Sequence, residues 1–393
     1  MSRLDEIFST ELNRLKSEQL NWEPKTLKTS SSNRAVYDGK KVILLCANNY
    51  LGLSNHPALK KAAIDATKKY GAGSGAVRAI SGTMELHVKL EKKIAQFKKT
   101  PAALFYQSGF TVNSGLIPAM TGEGWLLVSD ELNHGSIIDG VRLSKADKAV
   151  YKHSDISDLR RVLSENKEKY KNILVITDGV FSMDGDIAKL DEIVETANEF
   201  GAFVYVDDAH GDGVLGKNGT GIVSHFHQHG KVDIEMGTFS KAFGVVGGYV
   251  CGSKELCEFA LNKSRTWLLT GSHPPAVSAA CIASLETIQK NPKLVKALWK
   301  NREFFIEGLK DLGFDTGKSQ TPIIPIMLGE SSVAKKFSQE LFKKGVYGLP
   351  IVFPMVAKGS ARIRTQVSAS HTKKDLEEAL KVIKKAGKEM KII

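Results

Sequence analysis

Short apolar segments alternate with helix-like segments over most of the chain, and this alternation constrains the fold more than any other feature. The apolar segments cover residues 102–106, 125–129, 149–151, 173–177, 203–206, 234–237 and 248–251. Alternation of this kind is typical of a mostly parallel sheet with helices on both faces. The sequence therefore predicts an α/β protein built around such a sheet.

The pattern of apolar residues changes along the chain and divides it into three regions. Residues 1–48 are expected to form an N-terminal helical arm, because apolar side chains recur at helical spacing between residues 2 and 20. Residues 49–275 are expected to form a large domain, and residues 276–393 a smaller α+β domain. The expected elements of the smaller domain are helices over 276–289 and 294–312 and strands over 323–328 and 361–367.

The formal net charge of +12 allows two classes of partner, a nucleic acid or a small polyanion such as a phosphate ester or coenzyme A. Much of the excess positive charge lies in residues 373–391, where lysines flank Leu376, Leu380 and Ile383 at helical spacing. This pattern is typical of a solvated amphipathic helix. Since no nucleic-acid-binding module is visible, we expect no nucleic-acid partner.

Membrane proteins, secreted proteins and metalloproteins are not indicated. The N-terminus places charges every few residues, and no stretch reaches the roughly 18 apolar residues of a membrane span, so we expect a cytoplasmic protein with no membrane partner. The cysteines, Cys46, Cys251, Cys257 and Cys281, form no CxxC pair and have no histidine at zinc-finger spacing. Neither a disulfide framework nor a metal site is therefore expected.

Polar residues directly follow three of the apolar segments. Asp207 and His210 follow one segment, Ser182 follows a second, and Thr238 and Lys241 follow a third. Because ligands of open parallel sheets bind beyond the carboxyl ends of the strands, we expect these side chains to surround a binding site. A carboxylate and an imidazole three residues apart can form a metal pair, half of a hydrolytic triad or a clamp on a heterocycle.

Lys241 favours one of these alternatives. A lysine that forms a Schiff base must lose its proton, which burial beside a cationic group promotes. The hydroxyls of Thr238 and Ser240 beside it suit a phosphate group. An aldehyde, a phosphate and a pyridine nitrogen that needs a carboxylate partner together describe pyridoxal phosphate (PLP). We therefore expect PLP as the cofactor of this site.

Six sequence strings together carry a specific resemblance. They are ANNYLGL (47–53), DELNHGSIIDG (130–140), TDGVFSMDGD (177–186), VDDAHG (206–211), GTFSKAFG (237–244) and ARIRTQVSASHT (361–372). In this order they resemble the α-oxoamine synthases, a family of fold type I PLP-dependent transferases that condense an amino acid with an acyl-CoA. The resemblance runs from about residue 40 to the C-terminus and implies an acyltransferase.

The resemblance also implies roles for individual residues. Lys241 matches the family's Schiff-base lysine, and Asp207 matches the partner of the pyridinium nitrogen. His210 and Ser182 match donors around the phenolic oxygen and the phosphate of the cofactor. His134 matches a histidine that stacks on the ring and acts as an acid on the acyl carbonyl. Lys241, His134 and Asp207 are thus the expected catalytic residues.

Further positions are expected to hold the phosphate. The amides of Gly109 and Phe110 would open a helix and point at the phosphate, beside Thr238. Thr270 and Gly271 match a family segment that reaches the phosphate of the neighbouring subunit. The expected active unit is therefore a homodimer with shared active sites.

The substrate residues and the substrates follow from the same resemblance. Arg364 matches the arginine that takes the carboxylate of the amino acid, with Asn49 beside it. The chain resembles most the glycine C-acetyltransferase (2-amino-3-ketobutyrate CoA ligase) branch, which implies glycine and acetyl-CoA as substrates. The alternative within the family is alanine with pimeloyl-CoA, as in biotin synthesis, or dual specificity.

Three observations bear on the alternatives. The pimeloyl enzyme is expected to carry an arginine near residues 20–22 and a threonine near residues 354–356, and this chain has neither. An aminotransferase on the same fold would not need the Asn-His-Gly string at 133–135. A basic binding protein on an inactive PLP scaffold would not need Asp207, His210 and Lys241 together.

Overall fold

Helices and strands alternate through most of the chain, of which the computed structural model describes residues 2–18 and 20–393. The helices are α1 (Arg3–Ser17), α2 (Pro57–Tyr70), α3 (Glu85–Lys98), α4 (Gly109–Met120), α5 (Gly135–Leu143), α6 (Ile156–Asn166), α7 (Leu190–Glu199), α8 (Ile222–His225), α9 (Lys254–Lys263), α10 (Arg265–Leu268), α11 (Pro275–Lys290), α12 (Lys293–Asp311), α13 (Ser331–Lys343) and α14 (Lys373–Glu389). The strands are β1 (Arg34–Tyr37), β2 (Lys40–Leu44), β3 (Ala102–Tyr106), β4 (Trp125–Asp130), β5 (Asp147–Tyr151), β6 (Asn172–Asp178), β7 (Phe203–Asp207), β8 (Ile234–Thr238), β9 (Gly248–Gly252), β10 (Ile323–Gly329), β11 (Val346–Tyr347), β12 (Leu349–Ile351) and β13 (Ala361–Gln366).

The central sheet has the spatial order β3-β9-β8-β7-β6-β4-β5. Strands β8, β7, β6, β4 and β5 are parallel to one another, whereas β9 runs antiparallel to both β3 and β8. The prediction of a mostly parallel sheet is therefore confirmed. The carboxyl ends of β6, β7 and β8 lie side by side at one edge.

Alternate side chains of the central strands pack into two separate hydrophobic cores. On β6, Leu174 and Ile176 belong to one core and Val175 belongs to the other. On β7, Tyr205 belongs to the first core and Val204 to the second. A strand that buries both faces must be apolar throughout, which explains why these segments read as continuous apolar runs.

Two smaller sheets lie outside the central one, with the orders β10-β13-β12 and β1-β2-β11. The first contains the strands expected near residues 323 and 361. The second contains an antiparallel hairpin, β1–β2, that pairs in parallel with β11. The prediction of a purely helical arm over residues 1–48 omitted this hairpin. Strand β1 is short and buries only Ala35, so its sequence carries little strand signal.

The two terminal helices differ in what they bury. Helix α14 begins with a reciprocal cap between Thr372 and Asp375, and its apolar residues Leu376 and Ile383 are buried, so the predicted amphipathic helix is confirmed. Helix α1 has the same kind of cap but buries none of its residues in the single chain. In the part of the chain that is described, neither these helices nor any other has the length and apolar character that crossing a bilayer requires.

Candidate active site

A cavity of about 200 Å³ lies at the carboxyl ends of β6, β7 and β8 and against the first turns of α4 and α5. Its lining includes eight of the residues singled out from the sequence: Gly109, Phe110, His134, Ser182, Asp207, His210, Thr238 and Lys241. It also includes Ser108, Ser136, Asp178, Val180, Ala209, Met236 and Ser240. The structure therefore brings together predicted residues that are up to 132 positions apart in the sequence, from Gly109 to Lys241, as expected from the position of the strand ends.

Asp207 is the last residue of β7 and is almost fully buried at the cavity. Its Oδ2 accepts a hydrogen bond of 2.7 Å from Asn113 Nδ2, and its Oδ1 accepts one of 3.0 Å from the Ala209 amide. The phenol of Tyr205 in turn donates to Asn113 Oδ1 at 2.6 Å. These bonds fix the orientation of the carboxylate without using a cationic side chain.

Lys241 lies in the turn after β8, with its amine in the same cavity. Burial lowers the pKa of Lys241 to about 8, against the fields of Asp207 and Asp178, which raise it. An amine with this pKa is partly neutral near pH 7, whereas an ordinary lysine amine is almost entirely protonated. The environment therefore favours the nucleophilic form that a Schiff base requires.

His134 caps the N-terminus of α5 and has a defined pattern of hydrogen bonds. Its Nδ1 accepts from the Ser136 amide at 3.2 Å and lies 2.7 Å from Ser136 Oγ. Because Nδ1 is an acceptor, the ring proton resides on Nε2. Burial lowers the pKa of His134, which keeps the imidazole neutral.

Asp178 supports the backbone of this segment. Its Oδ2 accepts a 2.8 Å hydrogen bond from the His134 amide, and its own amide donates to Asn133 Oδ1 at 2.7 Å. Burial, and after it the nearby Asp207, raise the pKa of Asp178 well above its ordinary value. The sequence did not single out Asp178 as a site residue, although its position at the end of β6 was a usable signal.

A chain of hydrogen bonds joins His210 to the small sheet that contains β13. Gln366 Nε2 donates to the Tyr50 hydroxyl at 2.8 Å, and that hydroxyl lies 2.8 Å from His210 Nδ1. Since the hydroxyl accepts from Gln366, its own hydrogen is available to His210 Nδ1. Burial, followed by the charges of Lys241 and Arg364, holds the pKa of His210 well below its ordinary value. His210 is therefore favoured as a neutral imidazole, in contact with the Tyr50 hydroxyl through Nδ1.

Arg364 does not line the cavity itself but contacts Ser182, which does, and it is buried rather than on the surface. Its Nε donates to the carbonyl of Ser182, and its Nη1 donates to Gln366 Oε1 at 2.9 Å. Among the ion pairs formed by the described residues, none includes Arg364. Burial of a guanidinium without a carboxylate partner is unfavourable, so this position suits an anionic ligand.

Asn48, and not the predicted Asn49, contacts Arg364. Asn48 Oδ1 accepts from Gln366 Nε2 at 2.7 Å and lies 3.5 Å from Arg364 Nη1. The amide of Asn49 instead donates to the Ser31 carbonyl at 3.1 Å and accepts from the Ser54 amide at 3.3 Å. Both ends of Asn49 are thus used by the protein, so its expected contact with the substrate carboxylate stays a prediction that these hydrogen bonds do not favour.

Thr270 and Gly271 do not line the cavity of their own chain. Gly271 forms an isolated bridge with Val77, and its carbonyl accepts a hydrogen bond from Gln107 Nε2. The single chain therefore leaves their expected contact with a neighbouring subunit's phosphate as a prediction.

Besides Asp178 and Asn48, sequence reasoning missed four polar residues at or near the cavity: Asn113, Ser136, Tyr50 and Gln366. Asn113 gave no signal of its own, because it stands beside another polar residue, Ser114, in α4. The other three lie in segments where nothing marks them apart from neighbouring polar residues.

The residues present fit PLP. Asp207 offers a buried carboxylate to a pyridinium nitrogen, and Lys241 offers an amine to the aldehyde. The first amides of α4, at Gly109 and Phe110, have no acceptor within the helix and suit a phosphate.

Comparisons with known proteins agree with this chemistry. The family model of class I and II aminotransferases matches residues 40–383. The 8-amino-7-oxononanoate synthase of Thermoanaerobacter pseudethanolicus is 54% identical over 93% of both chains. That of Symbiobacterium thermophilum is 52% identical over 99% of this chain and 100% of its own. A serine palmitoyltransferase from S. paucimobilis, solved with a bound PLP–myriocin adduct, has a TM-score of 0.94 and 30% identity over 100% of both chains.

The chain belongs to the class I and II aminotransferase family, which has the fold of type I PLP-dependent transferases. Within it, the chain is a PLP-dependent acyltransferase of the α-oxoamine synthase type. The comparisons support the alternative reading of the sequence, alanine with pimeloyl-CoA, better than the glycine C-acetyltransferase branch.

Proposed function

We propose that this protein condenses alanine with pimeloyl-CoA, with release of coenzyme A and carbon dioxide, to give 8-amino-7-oxononanoate. The observation that supports this proposal most strongly is the name shared by relatives that are 54% and 52% identical over nearly their whole length. The absence of an arginine at residues 20–22 and of a threonine at residues 354–356 is the feature of the sequence that counts against this proposal.

PLP, when bound, supplies an aldehyde that takes the amino group of the substrate and a protonated ring that withdraws electrons from its α-carbon. In this proposal Asp207 keeps the ring nitrogen protonated, and the bonds from Asn113 and Ala209 hold its carboxylate for that task. Lys241 removes the proton from the α-carbon, because its pKa of about 8 leaves part of the amine neutral at physiological pH.

Arg364 binds the carboxylate of the amino acid in this proposal. The guanidinium is held by the Ser182 carbonyl and Gln366, and among the described residues no carboxylate forms an ion pair with it. A carboxylate ligand would supply that charge through short, charge-assisted hydrogen bonds. Asn48 would hold Gln366 and Arg364 in position from the other side.

His134 donates a hydrogen bond to the acyl carbonyl oxygen in this proposal. Its Nδ1 is occupied by Ser136, so the Nε2–H is the polar group that remains for a ligand. A donor at that oxygen stabilises the negative charge that develops there when the thioester is attacked. Neutrality of the imidazole is compatible with this role because the bond needs a donor and not a cation.

The substrates are tested by measuring release of the coenzyme A thiol with each combination of alanine, glycine or serine and pimeloyl-, acetyl-, succinyl- or palmitoyl-CoA. We expect the highest kcat/KM for alanine with pimeloyl-CoA, and the Lys241→Ala variant gives the background rate. A higher kcat/KM for glycine with acetyl-CoA would contradict the proposal and favour the acetyltransferase reading.

We also propose that the active unit is a homodimer. Support comes from the family resemblance of the Thr270–Gly271 segment, which does not reach the cavity of its own chain. Light scattering should give twice the mass of the 393-residue chain, and a monomeric mass with full activity would refute the proposal.

A further inference from the structure

Asn113 contacts two parts of the candidate active site at once. It lies in the middle of α4, is completely buried, and uses both hydrogens of its amide: one bond of 2.7 Å goes to Asp207 Oδ2 and one of 2.9 Å to Ser136 Oγ. Its Oδ1 accepts from the Tyr205 hydroxyl at 2.6 Å. The side-chain amide of Asn113 thus uses both of its hydrogens and one of the two lone pairs of its oxygen.

These partners determine which way round the amide lies. If nitrogen and oxygen were exchanged, the oxygen would face the carboxylate of Asp207, and the nitrogen would face the Tyr205 hydroxyl. Two acceptor oxygens at 2.7 Å repel each other, so only the observed orientation gives Asp207 a donor. Tyr205 favours that orientation because its hydroxyl donates to the amide oxygen.

The second bond extends from Asn113 to His134. Because Ser136 Oγ accepts from Asn113, its own hydrogen is available to donate to His134 Nδ1, 2.7 Å away. That bond, like the bond from the Ser136 amide, keeps Nδ1 an acceptor and the ring proton on Nε2. The direction of each bond in this series therefore depends on the one before it.

We propose that Asn113 is a positioning residue that fixes the Asp207 carboxylate and, through Ser136, the tautomer of His134. It acts through these two residues and is not itself placed to react with the substrate. The inference rests on the proposed assignment of Asp207 to the cofactor ring and of His134 to the acyl carbonyl. It adds that a single side-chain amide, that of Asn113, orients both the Asp207 carboxylate and the His134 imidazole.

Three variants separate the two connections that Asn113 makes, one to Asp207 and one through Ser136 to His134. Asn113→Leu has a similar volume and removes both connections, whereas Ser136→Ala removes only the connection to His134. Asn262→Leu changes an exposed asparagine of α9 and serves as a control. Two quantities are measured on each holoenzyme: the dissociation constant of PLP, from the loss of cofactor absorbance on dilution, and kcat.

We expect Asn113→Leu to weaken PLP binding at least tenfold and to lower kcat by a similar factor, since Asp207 loses a donor and His134 its support. Ser136→Ala should lower kcat about tenfold with little change in KM, and it should weaken PLP binding less than Asn113→Leu does. Asn262→Leu should change neither. Wild-type PLP binding in Asn113→Leu, or a wild-type kcat in Ser136→Ala, would overturn the inference.

A second substitution covers the case in which Asn113→Leu does not fold. Asn113→Asp keeps the shape, but its ionised carboxylate would repel Asp207, whereas its protonated form can donate one hydrogen bond to it. PLP should therefore be released much faster at pH 8 than at pH 6, a pH dependence that a purely structural role does not produce. The same release rate at both pH values would also overturn the inference.

Asp207→Asn distinguishes this inference from the function on which it rests. If Asp207→Asn binds PLP as the wild type does, the assignment of Asp207 to the cofactor is wrong. If Asp207→Asn weakens binding but Asn113→Leu does not, only the positioning role of Asn113 fails.

Discussion

Asp207 and Asp208 are neighbours in the chain, but their carboxylates have different surroundings. Asp207 borders the cavity and receives hydrogen bonds only from neutral groups, Asn113 and the Ala209 amide. Asp208 is completely buried against α3, where it pairs with Lys98 at 2.9 Å and accepts from the Ile222 amide. The first carboxylate keeps its charge available to a ligand, and the second is neutralised within the protein.

Lys98 is shared among three buried carboxylates, of which Asp208 is one. Its ammonium also lies 2.8 Å from Asp212 and 2.5 Å from Glu235, and all four side chains are buried. Burial alone would lower the pKa of Lys98, but the three carboxylates raise it well above its ordinary value. A charged residue at a strand end therefore serves ligand binding or the fold according to its partners, and the residue type alone does not distinguish the two.

The largest effect on turnover is expected for Lys241→Ala, because Lys241, like Asp207, lines the cavity. Turnover should fall by roughly 10⁴-fold or more, because no other amine lines the cavity within the described residues to take up the α-proton. The absorbance of bound cofactor should change at the same time, whereas the melting temperature should stay close to the wild type. Turnover within tenfold of the wild type would refute the assignment of Lys241.

Asp207→Asn and Asp208→Asn test the comparison directly. Asp207→Asn should lower kcat about 10²–10³-fold with little loss of stability, since it removes a charge that acts on the ligand. Asp208→Asn should leave kcat within about threefold but lower stability by about 1–3 kcal/mol, because Lys98 loses one charged partner. Steady-state kinetics and thermal unfolding of both holoenzymes are the measurements, and the opposite pattern would contradict the comparison.

Arg364→Ala should raise the KM for the amino acid about 10–150-fold, since the loss of a charge-assisted hydrogen bond costs about 1.5–3 kcal/mol. The absorbance of bound cofactor should not change. Arg161→Ala, which removes an exposed arginine paired with Glu165, is the control and should leave KM unaltered. An unchanged KM in Arg364→Ala would exclude the carboxylate role.

Asn48 and Asn49 are a second pair of neighbours, of which one contacts residues of the site and the other holds the fold. The expected effect on KM is smaller than for Arg364→Ala. Asn48→Ala should raise the KM for the amino acid about 2–10-fold, because Gln366 and Arg364 lose a neutral partner. Asn49→Ala should leave KM unchanged and lower the melting temperature, since its bonds to Ser31 and Ser54 hold the fold. If Asn49→Ala raises KM and Asn48→Ala does not, the original sequence-based choice was right.

The central sheet was predictable from the sequence because each strand buries both faces and is apolar along its length. The predicted strand 234–237, for example, differs from β8 by one residue. The hairpin β1–β2 was not predictable in this way, since β2 finds part of its pairing in Val346 and Tyr347, about 300 residues later. A local pattern contains no information about such a partner.

The residues of the site also differ in whether the sequence could predict them. Asp207 and Lys241 were predictable because they directly follow strands that share one edge of the sheet. Asn113 was not, because its contact with Asp207 depends on how α4 packs on the central sheet, and no spacing in the sequence encodes that distance. The choice between Asn48 and Asn49 depends on side-chain direction in a loop, which the sequence leaves open.

The pairing of β2 with β11 has a consequence for how the protein is made on the ribosome. At about 5–20 residues per second, synthesis of the roughly 300 residues between these strands takes about 15–60 s. During that time the central sheet can already form, but one edge of the hairpin remains without its partner. An unpaired edge can associate with other chains, so nascent or prematurely terminated forms of this protein are more exposed to aggregation than the finished one.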